Sequence, residues 1–382
     1  MSFSVCHIHR KFYTSTPFAY LRQITQILAS YGINVSVISR KEEKNNVSEC
    51  KIVNGVKVYP TNIPSSFPTF SSLFKLSYRL MSLPKKFDIL HCYGSLMPLV
   101  GLTKRLQSNN PKIVFDIRTV PVVPWGFSAT NPGKFLYYKL SSRISVGTIF
   151  ISETVKNYLS EVCSLSPKKY AIVPTGVNLA KFKPENVSNL KNELGLMDKF
   201  VYGYAGAITY QRHLQTMVKA FAKLARAKKK VTLLMCGSGS SLPYLKNLAK
   251  RLGIEEKTIF LGFVEFKKIH KFMNIFDVGL NYVPNTLEYN VQPPTKLYQY
   301  LACGLPTIST KTRANQNIIQ QRENGLLCGF NVSSFYEAMR ELLLDTHLRR
   351  TLSSNARTSV AHMNWERIVK ERLLPFYRKL LG

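Results

Sequence analysis

Two cations and an amide are spaced as a phosphorylated sugar would require. Lys296 and Gln299 lie three residues apart in QPPTKLYQYLACGLPTIST, positions 292–310. Pro293 and Pro294 fix the approach and remove two N–H donors. Thr295 is the expected N-cap of a helix over TKLYQYLACG, with Gly304 as its stop. Lys296 then falls in the first turn, where a lysine opposes the helix dipole. A cation placed there points to a ligand anion. Gln299 lies on a neighbouring face, and its amide can donate to and accept from a sugar hydroxyl. The plainer reading makes both of them surface polar residues.

The partner cation is Arg212, in YAGAITYQRH. There Gly206 ends a strand and the next helix is expected near Gln211. Together Arg212 and Lys296 could neutralise a diphosphate; alone, Arg212 reads as a solvated charge. CGSGS at 236–240 puts Gly237 and Gly239 in a strand–loop–helix turn, a geometry that presents backbone N–H groups to an anion. It lacks the third glycine of a dinucleotide fingerprint, and a tight turn is the alternative.

A second group stands in the first half of the chain. His91 ends a strand in HCYG, and Asp116 and Arg118 end another in FDIRT. At a cleft rim all three could orient an acceptor. The alternatives are a satisfied core or rim histidine and an ion pair bracing the strand end. No D-x-D motif occurs, and the seven Cys form no metal-ligand spacing. No metal and no cofactor are expected, and fixed cations would stabilise a departing diphosphate.

The elements that must hold these residues come in two sets. Short apolar runs (SFSVCHIH, INVSVIS, GVKVYPT, KFDILHCY, PKIVFDIR, VGTIFIS, KYAIV) alternate with helical stretches such as FAYLRQITQILAS and ETVKNYLSEV, the latter started by Ser152. The pattern restarts at FVYGYAGAI. A strong helix, YQRHLQTMVKAFAKLARA, follows, and then KVTLLMC, KTIFLGFV and DVGLNYV alternate with further helices. This grammar predicts parallel strands with crossover helices. It predicts an N-terminal Rossmann-like domain over 1–185, a second over 186–364, and a final helix over 365–382 that crosses back to the first. Ligands in such sheets bind beyond the C-terminal strand ends.

The chain has 382 residues, 45% of them hydrophobic, enough for more than one core. Neither a signal peptide nor an 18-residue apolar run is visible, so a cytoplasmic protein with mostly buried free thiols is expected. The net charge of +32 requires an anionic partner. A nucleic-acid binder would need a basic stripe with stacking aromatics; most aromatics here fall inside apolar strands and helices, so no nucleic acid is expected. The segment FPTFSSLFKLSYRLMSLPKKF offers another anionic partner. Leu73, Leu76 and Leu80 share one helical face, while Lys75 and Arg79 share another, with Phe70, Phe74, Lys85 and Lys86 nearby. A basic amphipathic helix of this kind can lie on an anionic membrane, peripherally at its inner face. The alternative is a helix packed on its own domain.

These segments resemble a known family. PPTKLYQYLACGLPTIST is similar to the P-x-K-x-x-E-Y-x-x-x-G-x-P-V segment of the retaining GT-B glycosyltransferases of family 4. YAGAITYQRHLQTMVKAF resembles the family's G-R-x-x-x-x-K-G segment. CGSGSSLPYLKNLAKRLG, IFLGFV and RENGLLC match in order, and IVPTGVNLAKFKP resembles the I-P-N-G-V-D-x-x-x-F-x-P linker. The resemblance covers most of 144–327. It implies a GT-B fold, with two Rossmann-like domains facing across a cleft. It implies a hexosyltransferase-type activity that moves a sugar from a nucleotide diphosphate donor to a saccharide or lipid-linked acceptor, with retention. By position, Arg212 matches the diphosphate contact and Gln299 the ribose glutamate. Three departures stand out: Ala207 replaces the arginine of the G-R segment, Gln299 replaces a glutamate, and Val291 falls where the earlier paired glutamate would be. Glu288 is near enough to substitute. Arg118 stands where members often carry a histidine. A catalytically silent scaffold and an epimerase- or phosphorylase-like GT-B enzyme are the rival readings.

Overall fold

The computed structural model describes the chain apart from residues 1–2, 14–18, 42–49, 64–69, 84–85, 95, 106–109 and 121–131. It forms two compact units: Met1–Thr175 with Trp365–Gly382, and Gly176–Asn364.

Unit 1 runs β1 (Ser4–Phe12), α1 (Ala19–Ser30), β2 (Asn34–Arg40), β3 (Lys51–Val53), β4 (Val56–Thr61), α2 (Phe70–Met81) and β5 (Ile89–Tyr93). It continues with α3 (Met97–Arg105), β6 (Lys112–Ile117), α4 (Pro132–Ile144), β7 (Gly147–Phe150), α5 (Glu153–Cys163) and β8 (Tyr170–Ile172). The sheet order is β3-β4-β2-β1-β5-β6-β7-β8. Its pairs are parallel except β3 with β4. Neither β3 nor α4 is expected from the apolar runs.

Alternation along the central strands divides unit 1 by chemistry. On one face Cys6, Ile8, Leu90, Cys92 and Ile113 pack against Leu76 and Leu80 of α2 and Met97 and Val100 of α3. The leucines expected to meet lipid are therefore core. The buried Lys104 ammonium donates to the carbonyls of Leu80 and Leu83, closing the C-terminal end of α2. On the other face His7, His91, Tyr93 and Asp116 are polar and buried, or nearly so.

The last residues of the chain cover that polar face. A helix over Trp365–Ile368, a π turn over Val369–Leu373 and a helix over Leu374–Leu381 form one run. Tyr377 bonds His91 and meets Phe3 edge-on. Gly147 lets the run come close, because a Cβ there would lie 2.7 Å from the Phe376 ring.

Unit 2 runs α6 (Ser188–Glu193), β9 (Phe200–Ala205), α7 (Gln215–Ala227), β10 (Val231–Cys236), α8 (Leu242–Arg251), β11 (Thr258–Gly262), α9 (Ile269–Met273) and β12 (Val278–Asn281). It ends with α10 (Leu287–Val291), α11 (Thr295–Ala302), β13 (Thr307–Thr310), α12 (Arg313–Gln316), β14 (Leu326–Cys328), α13 (Val332–Leu344) and α14 (Thr346–Ser359). Its sheet is parallel, in the order β11-β10-β9-β12-β13-β14. The order reverses between β9 and β12, which makes their C-terminal ends the natural ligand position.

The division between units falls ten residues before the expected 185/186. Segment 176–185 belongs to unit 2 for a physical reason. Val177 donates its N–H to Met363, and Arg357 donates to the carbonyls of Leu179, Phe182 and Ala302. Five of the seven cysteines are buried; Cys163 is half-buried and Cys50 exposed.

Gly203 in β9 packs against Phe276, where a Cβ would fall 1.9 Å from the ring. Gly203→Ala is therefore expected to destabilise the protein by about 2 kcal/mol or more through overpacking. Denaturant unfolding checks this; an unchanged midpoint would mean that the ring moves aside freely.

Candidate functional site

The reversal point of unit 2 is built from two glycine turns packed backbone to backbone. Gly206 leaves β9 at φ +148° and Gly239 follows β10 at φ +152°, a region open mainly to glycine. A Cβ at Gly237 would sit 1.8 Å from the Gly206 carbonyl oxygen, and one at Gly239 2.4 Å from the Ile208 oxygen. The N–H groups of Gly206 and Gly237 donate to Cys236 and Gly262. These two glycines are thus required for close approach, and their N–H groups are not the anion donors expected from the strand–loop–helix pattern.

Lys296 enters this corner from α11. The N-cap is Pro294 rather than Thr295, so Lys296 is the second helical residue. Gly206 leaves the space it uses, since a Cβ there would lie 3.0 Å from Nζ. The ammonium sits 3.6 Å from the centre of the Tyr204 ring. It is sealed from solvent and makes no hydrogen bond among the described residues. Burial, with the charge of Arg212 adding to it, holds its pKa well below the usual lysine value.

Arg212 closes a single 3₁₀ turn, Tyr210–Arg212, and α7 begins only at Gln215. His213 breaks the expected continuous helix, with φ +50°. The guanidinium lies over the Tyr289 ring, 4.6 Å from its centre. Two cations thus share one corner on aromatic faces, an arrangement that favours a polyanion. Gln299 is half-buried one helical turn beyond Lys296. Glu288 is buried in the first turn of α10, next to Tyr289, and Val291 is core. Ala207 is exposed, and its carbonyl accepts from the Tyr204 hydroxyl.

Tyr204 and Tyr289 are the residues that sequence reasoning missed. Tyr204 lies in an apolar strand and reads as core. Its position two residues before the turn glycine was the available signal.

The structure also brings His91, Asp116 and Arg118 together, in unit 1 and away from solvent. His91 and Asp116 are fully buried and Arg118 is 8% exposed. One imidazole nitrogen of His91 bonds Asp116 Oδ2 at 2.8 Å and the other bonds the Tyr377 hydroxyl. Arg118 donates from Nε and Nη2 to the same Oδ2, and from Nη1 to the Val173 carbonyl. The rim position expected for His91 is corrected: the C-terminal run covers it. Burial lowers the His91 pKa against the opposing bond from Asp116. Burial alone would raise Asp116; the Arg118 charge and the His91 bond outweigh it and hold the carboxyl below its usual value. The ion pair braces the end of β6.

The family models divide the chain much as its folding units do. Residues 19–181 match "Glycosyltransferase Family 4" and 186–359 match "Glycosyl transferases group 1". An uncharacterized glycosyltransferase of Methanocaldococcus jannaschii is 24% identical over 345 residues, 85% of each chain. Among solved structures, sucrose-phosphate synthase from Thermosynechococcus elongatus superposes with a TM-score of 0.84 at 20% identity, covering 99% of this chain and 98% of that one. Anabaena HepE, in complex with UDP and glucose, gives 0.76 at 16% identity, over 97% and 98%.

Replacing the Lys296 ammonium with an uncharged group of similar length removes an unpaired buried cation. Lys296→Met is therefore expected to raise stability, by on the order of 1 kcal/mol, while weakening the binding of inorganic diphosphate. Thermal unfolding and diphosphate titration check the two halves separately. A loss of stability would mean that the ammonium is satisfied by contacts within the fold.

Proposed function

From a GT-B fold whose halves match two glycosyltransferase family models, over 19–181 and 186–359, we propose that the chain transfers a hexose with retention from a nucleotide diphosphate sugar to a hydroxyl of a saccharide or lipid-linked acceptor. The observation that carries the donor half is the buried Lys296 ammonium, which no protein anion meets. A diphosphate supplies that anion. Lys296 and Arg212 hold its oxygens, and Gly206 leaves the space through which Lys296 enters the corner. Gln299 reaches a ribose hydroxyl with a neutral hydrogen bond in place of a charge-assisted one.

The chemistry follows from where charge grows. The bond from the anomeric carbon to the diphosphate oxygen breaks, and negative charge builds on the leaving group beside two fixed cations. The acceptor oxygen bonds to the same sugar face, and its proton passes to the departing phosphate oxygen. No separate protein base is needed. The two carbon–oxygen bonds exchange and no electrons are lost. Retention is supported by the family resemblance.

On the acceptor side, Arg118 is the least buried of its trio at 8% exposed, so it is the candidate for touching the acceptor. His91 and Asp116 act through it, as positioning residues. The net charge of +32 suits action at the inner face of an anionic membrane, with the chain held there peripherally.

Two measurements test the donor reading. UDP, which the HepE neighbour holds, is titrated against Arg212→Ala and Lys296→Ala. Each is expected to lose about 2 kcal/mol, roughly 30-fold in affinity. Unchanged affinity in both would sink the assignment. The sign of the pH dependence follows from Lys296. Burial and then the Arg212 charge lower its pKa in the free protein, and a bound diphosphate raises it. UDP binding therefore takes up a proton, and affinity falls as pH rises from the free-state pKa of Lys296 toward its higher bound-state value. Calorimetry in buffers of different ionisation enthalpy reads that proton; release would contradict the site.

Retention is read by NMR from the anomeric configuration of product made from an α-linked donor. A β-linked product overturns it. Absence of transfer with any donor would favour a silent scaffold, the reading that Ala207 and Gln299 favour.

A further inference from the structure

The outer side of the helical layer in unit 1 carries large apolar side chains that its own fold does not use. Leu76 and Leu80 turn α2 inward, so the opposite side faces water. There Phe74 is 72% exposed, Tyr78 68% and Met81 38%. Spaced four and three residues apart, they form one stripe. In the same layer α3 packs against both α2 and α4, and α4 exposes Leu136 at 61%, with Tyr137 and Leu140 both at 41%.

The two helices themselves carry charge of one sign, with no acid in either. Between Lys51 and Ser152 there are thirteen Lys and Arg and only two acids, Asp88 and Asp116. Both acids are engaged elsewhere. Asp88 accepts from Ser4, and Asp116 holds His91 and Arg118. Lys75 and Arg143 are exposed on α2 and α4, and Lys139 is half-exposed between Tyr137 and Leu140. Lys86 is exposed just past α2; Lys85 and the Phe70 side chain lie outside the described residues.

We propose that the outward faces of α2 and α4 dock unit 1 on an anionic lipid surface, with Phe74, Tyr78, Leu136 and Leu140 entering the interface and Lys75, Lys139 and Arg143 meeting headgroup phosphates. Apolar and cationic side chains interleaved on two helices that carry no acid of their own match the chemistry of an anionic leaflet. No described helix is long and apolar enough to cross a membrane, so this contact is peripheral. The inference deepens the glycosyltransferase reading by naming the surface that takes unit 1 to a lipid-linked acceptor. It differs from the face the amphipathic pattern suggests, since the leucines of α2 are core.

The test is co-sedimentation of the full chain with vesicles of phosphatidylcholine and phosphatidylglycerol in equal parts, and with phosphatidylcholine alone, at low and high salt. Binding to the mixed vesicles is expected to exceed binding to the neutral ones and to weaken with salt. The double variant Phe74→Ser/Leu136→Ser should lose on the order of ten-fold in partitioning. Both residues are exposed, so thermal unfolding should be unchanged. Lys75→Glu/Lys139→Glu, a charge variant with the apolar stripe intact, should bind mixed vesicles less and neutral ones equally. Equal binding of wild type to both vesicle types, or unchanged binding of the folded serine variant, overturns the proposal. So does self-association that the serine variant abolishes while vesicles stay unbound, which would assign the face to a second copy. UDP titration of the same variants keeps the two readings apart. A chain that binds vesicles through these residues but not UDP fails the donor reading alone; one that binds UDP but not vesicles fails this one alone.

Discussion

Lys296 places an ammonium group against the face of Tyr204, sealed from water and with no protein anion beside it. An unpaired buried cation is costly, so its surroundings have to be arranged around the charge. The ring faces it where a carboxylate would otherwise have neutralised it. Gly206 has no Cβ because the lysine uses that space, and Gly237 has none because the second turn rests on the Gly206 carbonyl. The reversal between β9 and β12 brings these pieces to one end of the sheet. Removing any one of them changes how near an anion can come to Nζ.

Unit 1 handles buried polarity in the opposite way. His91, Asp116, Arg118 and Tyr377 are joined by hydrogen bonds, with little left for an incoming group. Among the described residues, Asp116 Oδ1 and His7 Nε2 are buried atoms of this region that make no hydrogen bond. A closed network gives rigidity and specificity, whereas an open one gives affinity for a ligand. The first holds Tyr377 against His91, and the second leaves the Lys296 ammonium without a hydrogen bond among the described residues. The histidines underline the contrast, because burial keeps His7 and His91 below their usual pKa and hence neutral within the sheet.

Much of the fold was legible because local signals agreed. The β9-to-α11 segments combine apolar strands, turn glycines and amphipathic helices, and their strand order follows from crossover rules. Lys296 stands out in the sequence because a lysine in a helix's first turn opposes the helix dipole. What failed was whatever depends on distant sequence. His91 reads as a rim residue until Tyr377, 286 positions away, covers it. The leucines of α2 have an amphipathic pattern that fits lipid or core equally, and only the neighbouring α3 decides. The long helix after β9 is interrupted at His213, whose left-handed backbone has no marker such as glycine. In α4, FLYYKL mixes buried Tyr138 with exposed Leu136 and Leu140, so hydropathy alone gives no clean period.

The order of synthesis has a consequence for how this protein comes into being. Unit 2 is a continuous stretch, Gly176–Asn364, whereas unit 1 is completed only by Trp365–Gly382. The unit that begins first on the ribosome is therefore finished last. Until the final residues emerge, the Gly147 strand lacks Phe376 against it and His91 lacks Tyr377. The first sheet waits with one face uncovered while the second folds. A chain stopped before Trp365 thus carries unit 2 whole and unit 1 with buried histidines and Asp116 uncovered, a half-made species whose polar sheet face takes up water instead of packing.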